Sequence, residues 1–272
     1  AADGAICPGV SGCLYARPAD RTDTFNNVAP RITLSWQPGE RSLLYLSGST
    51  GFRPPEMTEL YHLQRLQSSA DLDSEQLDAL ETGWKYQAGN FSLNTALFAM
   101  EKNNVILRES NGFFVSNGST THRGFEYDAR VLLNSMFTIS LAGTYARHKY
   151  AFTRAVEGGE TIIDGNDVDT APRHVHTLSL DARFNEQFSA ALDLFYVGKY
   201  FLDAGNTATY PGHEVFNLRL GWTPRDDLRA SLRIDNVFDT AYADRADFAF
   251  GDYRYFPARP RALFLSFDYT TQ

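Results

Sequence analysis

The chain has no apolar run near the ~18–20 residues that a membrane-spanning helix needs. No membrane-spanning helix is therefore expected within these 272 residues. Basic residues are in deficit, 25 Lys and Arg against 33 Asp and Glu, for a net charge of −8. A surface built to neutralise nucleic-acid phosphates carries the opposite balance, so no nucleic-acid partner is expected. Cysteine is scarce. Cys7 and Cys13 are the only two, in Cys-Pro-Gly-Val-Ser-Gly-Cys. A small disulfide loop outside the cytoplasm is expected. A two-Cys metal site would need a His or acid that this stretch lacks, and two free thiols are the bland alternative. What is plentiful is aromatic: 20 Phe, 14 Tyr and 3 Trp in 272 residues, types that favour strands.

The arrangement of these residues is periodic. Eleven strands are expected, near 28–37, 42–50, 77–87, 91–102, 121–133, 137–148, 174–184, 188–200, 214–222, 228–237 and 260–269. Most approach the ~9–11 residues of a tilted membrane-crossing strand. Leu228, Ala230, Leu232 and Ile234 alternate with Arg229, Ser231, Arg233 and Asp235. Phe125, Tyr127, Ala129, Val131 and Leu133 alternate with Glu126, Asp128 and Arg130. The strand at 188–200 and the first strand sort in the same way. A Lys or Arg on the lipid face at mid-bilayer costs about 2–4 kcal/mol, and none falls on the apolar parity of these strands.

Alternation suits a soluble sandwich as well as a barrel. Three asymmetries favour the barrel. The strands are long, and tight turns such as Pro38-Gly39-Glu40-Arg41 and Ala88-Gly89-Asn90 lie at one end only. Trp36, Trp84 and Trp222 all sit at that same end, as a headgroup-layer girdle does. Long polar connections (51–75, 149–173, 239–259) lie at the other end. The fold class expected is all-β, an antiparallel transmembrane β-barrel in outer-membrane lipid. A short helix is expected in Pro54–Tyr61, where prolines and acids suit a first turn.

Several segments, in order along the chain, resemble the C-terminal half of the barrel of TonB-dependent outer-membrane receptors. They are Gly51-Phe52-Arg53-Pro54-Pro55 with Glu59-Leu60-Tyr61, and Leu72-Asp73-Ser74-Glu75 with Glu81-Thr82-Gly83-Trp84-Lys85. Asn117-Gly118 precedes Gly124-Phe125-Glu126, and Asn236-Val237-Phe238-Asp239 with Tyr242 precedes Pro260-Arg261. Ser74 stands where the family usually has Pro, and the chain ends Asp268-Tyr269-Thr270-Thr271-Gln272 where an aromatic terminus is usual.

The resemblance implies a barrel of twenty-two strands around an N-terminal plug, in the outer membrane of a Gram-negative bacterium. Residues 1–272 would then be the C-terminal portion, with 1–27 an extracellular loop and 28–269 barrel strands. The chain starts at Ala1 and is expected to be a piece or a processed product of a longer protein. Its partners would be the plug, the remaining strands, the TonB complex and a small metal-chelate ligand. Function would be capture and import of a scarce nutrient, a ferric siderophore most often in this family. Haem or cobalamin receptors of the same family, and a passive porin, are the alternatives.

No covalent step is expected, nor any cofactor or resident metal. Candidate ligand-binding side chains are Arg53, Tyr61, His62, Arg65, Phe113, Phe114, Tyr200, Phe201, Tyr253 and Tyr255. Aromatics pack on chelate rings and Arg pairs with anions. Packing of loops against one another is the plainer role for each. His62 lies where haem-uptake members carry a ligand, but the Asn-Pro-Asn-Leu-type sequence expected beyond it is Ala70-Asp71-Leu72-Asp73 here. His174 and His176 share the parity of Leu178 and Leu180 and should face the outer headgroup layer. Asp164-Gly165-Asn166-Asp167-Val168-Asp169 lacks the Gly and distal Glu of a calcium loop. A lipase-like pair of Ser179 with either His fails on parity. Arg130, Asp181, Arg183, Arg219, Arg229 and Arg233 should face a wet interior or the plug.

Overall fold

The computed structural model describes residues 20–61, 70–109 and 113–270. Cys7, Cys13, His62 and Arg65 lie outside them, and so does most of the 1–27 segment.

Eleven strands form one antiparallel sheet in strict chain order. They are β1 (Arg31–Gly39), β2 (Ser42–Arg53), β3 (Glu75–Ala88), β4 (Phe91–Arg108), β5 (Phe114–Leu132) and β6 (Phe137–Tyr150). Then follow β7 (His174–Arg183), β8 (Phe188–Val197), β9 (His213–Arg225), β10 (Leu228–Asp235) and β11 (Ala262–Tyr269). A five-residue helix, α1 (Met57–Tyr61), follows β2. Neighbouring strands pair only with neighbours in sequence. Among the described residues the sheet is not closed: β1 and β11 each have one partner. This is a partial barrel wall.

The tight end is built with local chemistry. Gly89 takes φ +54° in the β3–β4 turn, a conformation cheap only without a Cβ. The β5–β6 and β7–β8 turns share one device. Asn134 Oδ1 accepts the Met136 and Phe137 N–H groups at 2.8 and 2.9 Å. Asn185 Oδ1 does the same for Gln187 and Phe188 at 2.9 and 2.8 Å. Such side-chain turns substitute for a missing backbone bond.

The two faces sort as the alternation predicts. Trp36, Leu44 and Trp84 occupy one cross-strand row beside the tight turns. Trp222 stacks on Phe188 at 6.2 Å, and Phe137 meets Phe184 edge-on at 6.4 Å. These rings form the lower rim of the apolar face. Higher on that face, His176 stacks between Tyr127 and Tyr196, each 5.9 Å away. His174 packs on Tyr145 at 4.8 Å. The two histidines thus share the face of Leu178 and Leu180. On the opposite, lumenal face Asp193 accepts from Ser179 at 2.6 Å and pairs with Arg219 at 2.9 Å.

Glycine is required where a ring crosses a neighbouring strand. A Cβ on Gly83 would lie 2.4 Å from the Tyr45 ring, and one on Gly124 would lie 2.5 Å from Phe98. Bare backbone at these points lets an aromatic side chain lie flat along the wall.

The closing Asn-Val-Phe-Asp segment is a turn device. Asn236 is buried at φ +52°. Its amide donates to the Thr240 carbonyl at 2.9 Å while its oxygen accepts the Thr240 N–H at 2.8 Å. Asp239, also left-handed at φ +55°, accepts the Arg261 N–H at 2.8 Å. The segment thereby returns the chain to start β11.

Candidate ligand-binding surface

β4 and β5 run 18 and 19 residues, well beyond the ~9–11 that a tilted strand needs to cross. Their upper halves stand above the apolar band as a tall hairpin. Arg108 pairs with Glu157 and Arg154 with Glu109, both at 2.9 Å. These pairs tie the hairpin to the loop after β6. Phe114 lies under the Arg108 guanidinium, 5.7 Å away. Phe113 is exposed at the hairpin tip.

Two further loops carry a small core of their own. Residues Tyr200–Phe201 pair with Thr209–Tyr210, and a hairpin joins Ala243–Ala249 to Asp252–Pro257. Leu202, Tyr210, Ala243 and Ala246 are buried together with Tyr200 packed against them. The Tyr200 hydroxyl accepts the Ala246 N–H at 3.1 Å and donates to its carbonyl at 3.3 Å. Tyr210 accepts the Ala243 N–H at 3.1 Å. Each tyrosine thus satisfies backbone groups at a hairpin edge that would otherwise be buried unpaired.

Carboxylates complete the frame. Asp203 is buried and accepts the Thr207 and Ala208 N–H groups at 3.0 and 2.8 Å. Asn206 exchanges two 2.8 Å bonds with the Asp167 backbone, bridging to the loop after β6. Asp247 is buried between Arg245 and Arg254, the latter at 2.8 Å. Burial pushes its carboxyl up, but the two guanidiniums outweigh this and hold it below the usual carboxylate range.

At the other side of the wall, Arg53 is the hub of an ion cluster. It donates to Glu75 at 2.6 Å and to Glu59 at 3.0 Å. Glu75 is buried, and also takes Lys102 at 2.8 Å and the Ile106 N–H at 3.0 Å. The cluster clamps α1 onto the tops of β3 and β4. The Tyr61 hydroxyl donates to Asp23, which ties α1 to the segment before β1.

The sequence-predicted residues therefore divide. Arg53, Tyr61 and Tyr200 are engaged in holding loops together. Phe201 is half-buried, and its carbonyl accepts the Thr170 N–H at 2.8 Å. Phe113, Tyr253 and Tyr255 are exposed on loop tips, and Tyr253 touches Thr207 through its hydroxyl at 3.2 Å. The two tyrosines share one hairpin, while Phe113 lies on the β4–β5 tip.

Sequence reasoning missed a lumenal cavity beneath the 236–262 segment. It is lined by His213, Tyr242, Arg233, Asp235, Asp244 and Arg259 among others. His213 and Tyr242 lie 4.5 Å apart, centroid to centroid. The inward parity of Arg233 and Asp235 was the signal for it. His213 and Arg259 come together only through tertiary folding.

Comparison with known proteins agrees with this architecture. The family model described as "TonB dependent receptor-like, beta-barrel" matches residues 11–237. The chain is 21% identical over 229 residues to a probable TonB-dependent siderophore receptor, PiuA, of Acinetobacter baumannii, covering 80% of this chain and 31% of the relative. It is 23% identical over 281 residues to the catecholate siderophore receptor Fiu of Escherichia coli K12, covering 97% and 35%. The chain therefore spans about a third of the length of these curated relatives. The crystal structure of Fiu superposes with a TM-score of 0.74 at 19% identity, covering 98% of this chain and 39% of that one. The PiuA crystal structure also gives 0.74, at 18% identity over 88% and 35%. The family is one of receptors and transporters, not enzymes. An open eleven-stranded antiparallel wall, tight turns at one end and a family match over most of its length make one conclusion: this chain belongs to the TonB-dependent receptors and forms part of their β-barrel.

Proposed function

We propose that the chain is the C-terminal wall of a Gram-negative outer-membrane receptor that takes up a ferric siderophore, with energy supplied through TonB. The observation that carries this reading is the alignment of nearly the whole chain with a catecholate siderophore receptor. The supporting geometry is an apolar outer face, a polar inner face and a braced outer layer of loops with exposed aromatic tips. In this reading Tyr253 and Tyr255 pack against the rings of the chelate. Arg259, in the cavity below, attracts its negative charge, while Arg233 is paired with Asp235 at 3.2 Å. The partners are outer-membrane lipid, the plug, the remaining strands and the TonB complex. The segment 1–27 would be an outer loop closed by Cys7 and Cys13.

The test is uptake of a radiolabelled ferric catecholate by cells producing the complete receptor. Cells lacking TonB should bind the label at the surface and fail to accumulate it. Equal accumulation with and without TonB would reject active import and leave a passive pore.

A further inference from the structure

We propose that the lumenal wall carries a binding site for a divalent transition-metal ion, copper(II) foremost, formed by His122 and His148 with Met100 beside them. The three residues lie in one cross-strand row: Met100 on β4 opposes His122 on β5, which opposes His148 on β6. Directly opposed residues of a sheet bring their side chains within reach of one another. All three share the lumenal parity of Lys102 and Glu126, opposite to Leu97 and Phe125.

The two imidazoles meet nitrogen to nitrogen. Their Nδ1 atoms are 2.8 Å apart, with ring centroids at 5.0 Å. At that distance one Nδ1–H donates to the other Nδ1, and a shift of that proton to the far ring nitrogen leaves two lone pairs converging on one point, where a metal ion can replace the hydrogen bond. For metal–nitrogen bonds of about 2.0 Å, this separation is the chord of a right angle. Right-angled nitrogen pairs are the mark of tetragonal copper(II) or nickel(II) coordination, and copper(II) binds more tightly than its neighbours in the series. The Met100 thioether suits the long axial position of such an ion.

The surroundings fit the same use. His122 Nε2 lies 2.9 Å from Thr120 Oγ1. A proton donated there leaves Nδ1 with its lone pair, the orienting contact that ligating histidines commonly have. Lys102, whose charge reaches His122 on this face, is paired with Glu75 at 2.8 Å. Asp167, near His148, is occupied by Arg173 at 3.0 Å. Both histidines are half-buried and face the lumen, which gives an entry path. His174 and His176, on the apolar face, are taken up by tyrosine rings and stand apart from this site.

The inference does not rest on which chelate the receptor imports. It is tested with the complete receptor, purified in detergent, stripped with chelator and titrated with copper(II) at neutral pH. One equivalent should bind, with electron paramagnetic resonance splittings from two histidine nitrogens that change on ¹⁵N-histidine labelling. His122→Gln and His148→Gln should each weaken binding by about 100-fold or more, the upper end of what even outer-shell changes cost. Their cooperative unfolding should stay close to wild type. Spectra without histidine nitrogens in the wild-type receptor would overturn the proposal without recourse to any variant. So would copper binding that survives the double variant, or that disappears in the His174→Gln, His176→Gln variant.

Discussion

Tyr127 on β5 and His176 on β7 hydrogen-bond at 2.9 Å across the whole width of the strand between them. They meet because β6 presents Gly143 at that point; a Cβ there would lie 2.1 Å from His176 Nδ1 and 2.7 Å from the Tyr127 hydroxyl. Gly143→Ala should therefore part the two rings and destabilise the barrel by about 1–3 kcal/mol, as overpacking does. Tyr127→Phe removes the bond alone and should cost about 1 kcal/mol. Urea titration of the complete receptor in lipid vesicles measures both. An alanine variant as stable as wild type would refute the strand-spanning contact.

Trp36, Trp84 and Trp222 lie on the apolar face and are exposed there by 65%, 38% and 44%. Tryptophan emission from the reconstituted receptor should be quenched by lipids brominated close to the headgroup more than by lipids brominated at the chain end. Stronger quenching from the bilayer centre would misplace the whole lower rim.

Glu75 is the buried member of a cluster with Arg53 and Lys102. Glu75→Ala strands two cations and the Ile106 N–H, at a cost of about 3 kcal/mol, the low end for a broken buried pair because Arg53 keeps Glu59 and some water. The damage should be local. Limited proteolysis would cut between residues 54 and 74 first, while the sheet stays protected. Unchanged cleavage would mean that the cluster does not hold α1.

Asp247 links the 243–257 hairpin through Arg245 and Arg254. Its carboxyl is lower in the folded state than in the unfolded one, so its stabilisation is present above the ordinary carboxylate range. It fades as pH falls through that range and below. Amide exchange of the hairpin, corrected for intrinsic rate, should accelerate at acid pH in wild type. In Asp247→Asn the hairpin should already be loose at pH 7 and respond little to acid. Parallel pH profiles would count against this role.

Tyr253 and Tyr255 project from the same hairpin. The double change to Ala should weaken ferric-catecholate binding by about tenfold, one to two lost aromatic contacts. Tyr200→Phe, which frees both the N–H and the carbonyl of Ala246, should instead raise loop exchange. Equilibrium binding to whole cells separates the two effects.

The eleven sheet strands were legible because lipid on one side and water on the other impose a period of two, and because Gly, Asn and Pro punctuate the lower turns. Legibility stops where both faces are wet. β4 and β5 continue to Arg108 and resume at Phe114, whereas alternation marks them only to about 102 and from about 121. The hairpin at 243–257 was read as polar loop, since a rim structure held by Tyr200, Tyr210 and Asp247 has no periodic signature. Arg53, Glu59 and Glu75 stood out as family residues, but their mutual ion pairing depends on a 22-residue return of the chain that spacing does not reveal.

The free flanks of β1 and β11 have a final consequence. Each presents a column of N–H donors and carbonyl acceptors that acyl chains cannot satisfy, so this wall is not a unit that membranes accept alone. In the proposed receptor those flanks are two seams to be sewn to further strands before or during insertion. The register chosen at Arg31–Gly39 and Ala262–Tyr269 thus governs the bore and slant of the finished cylinder.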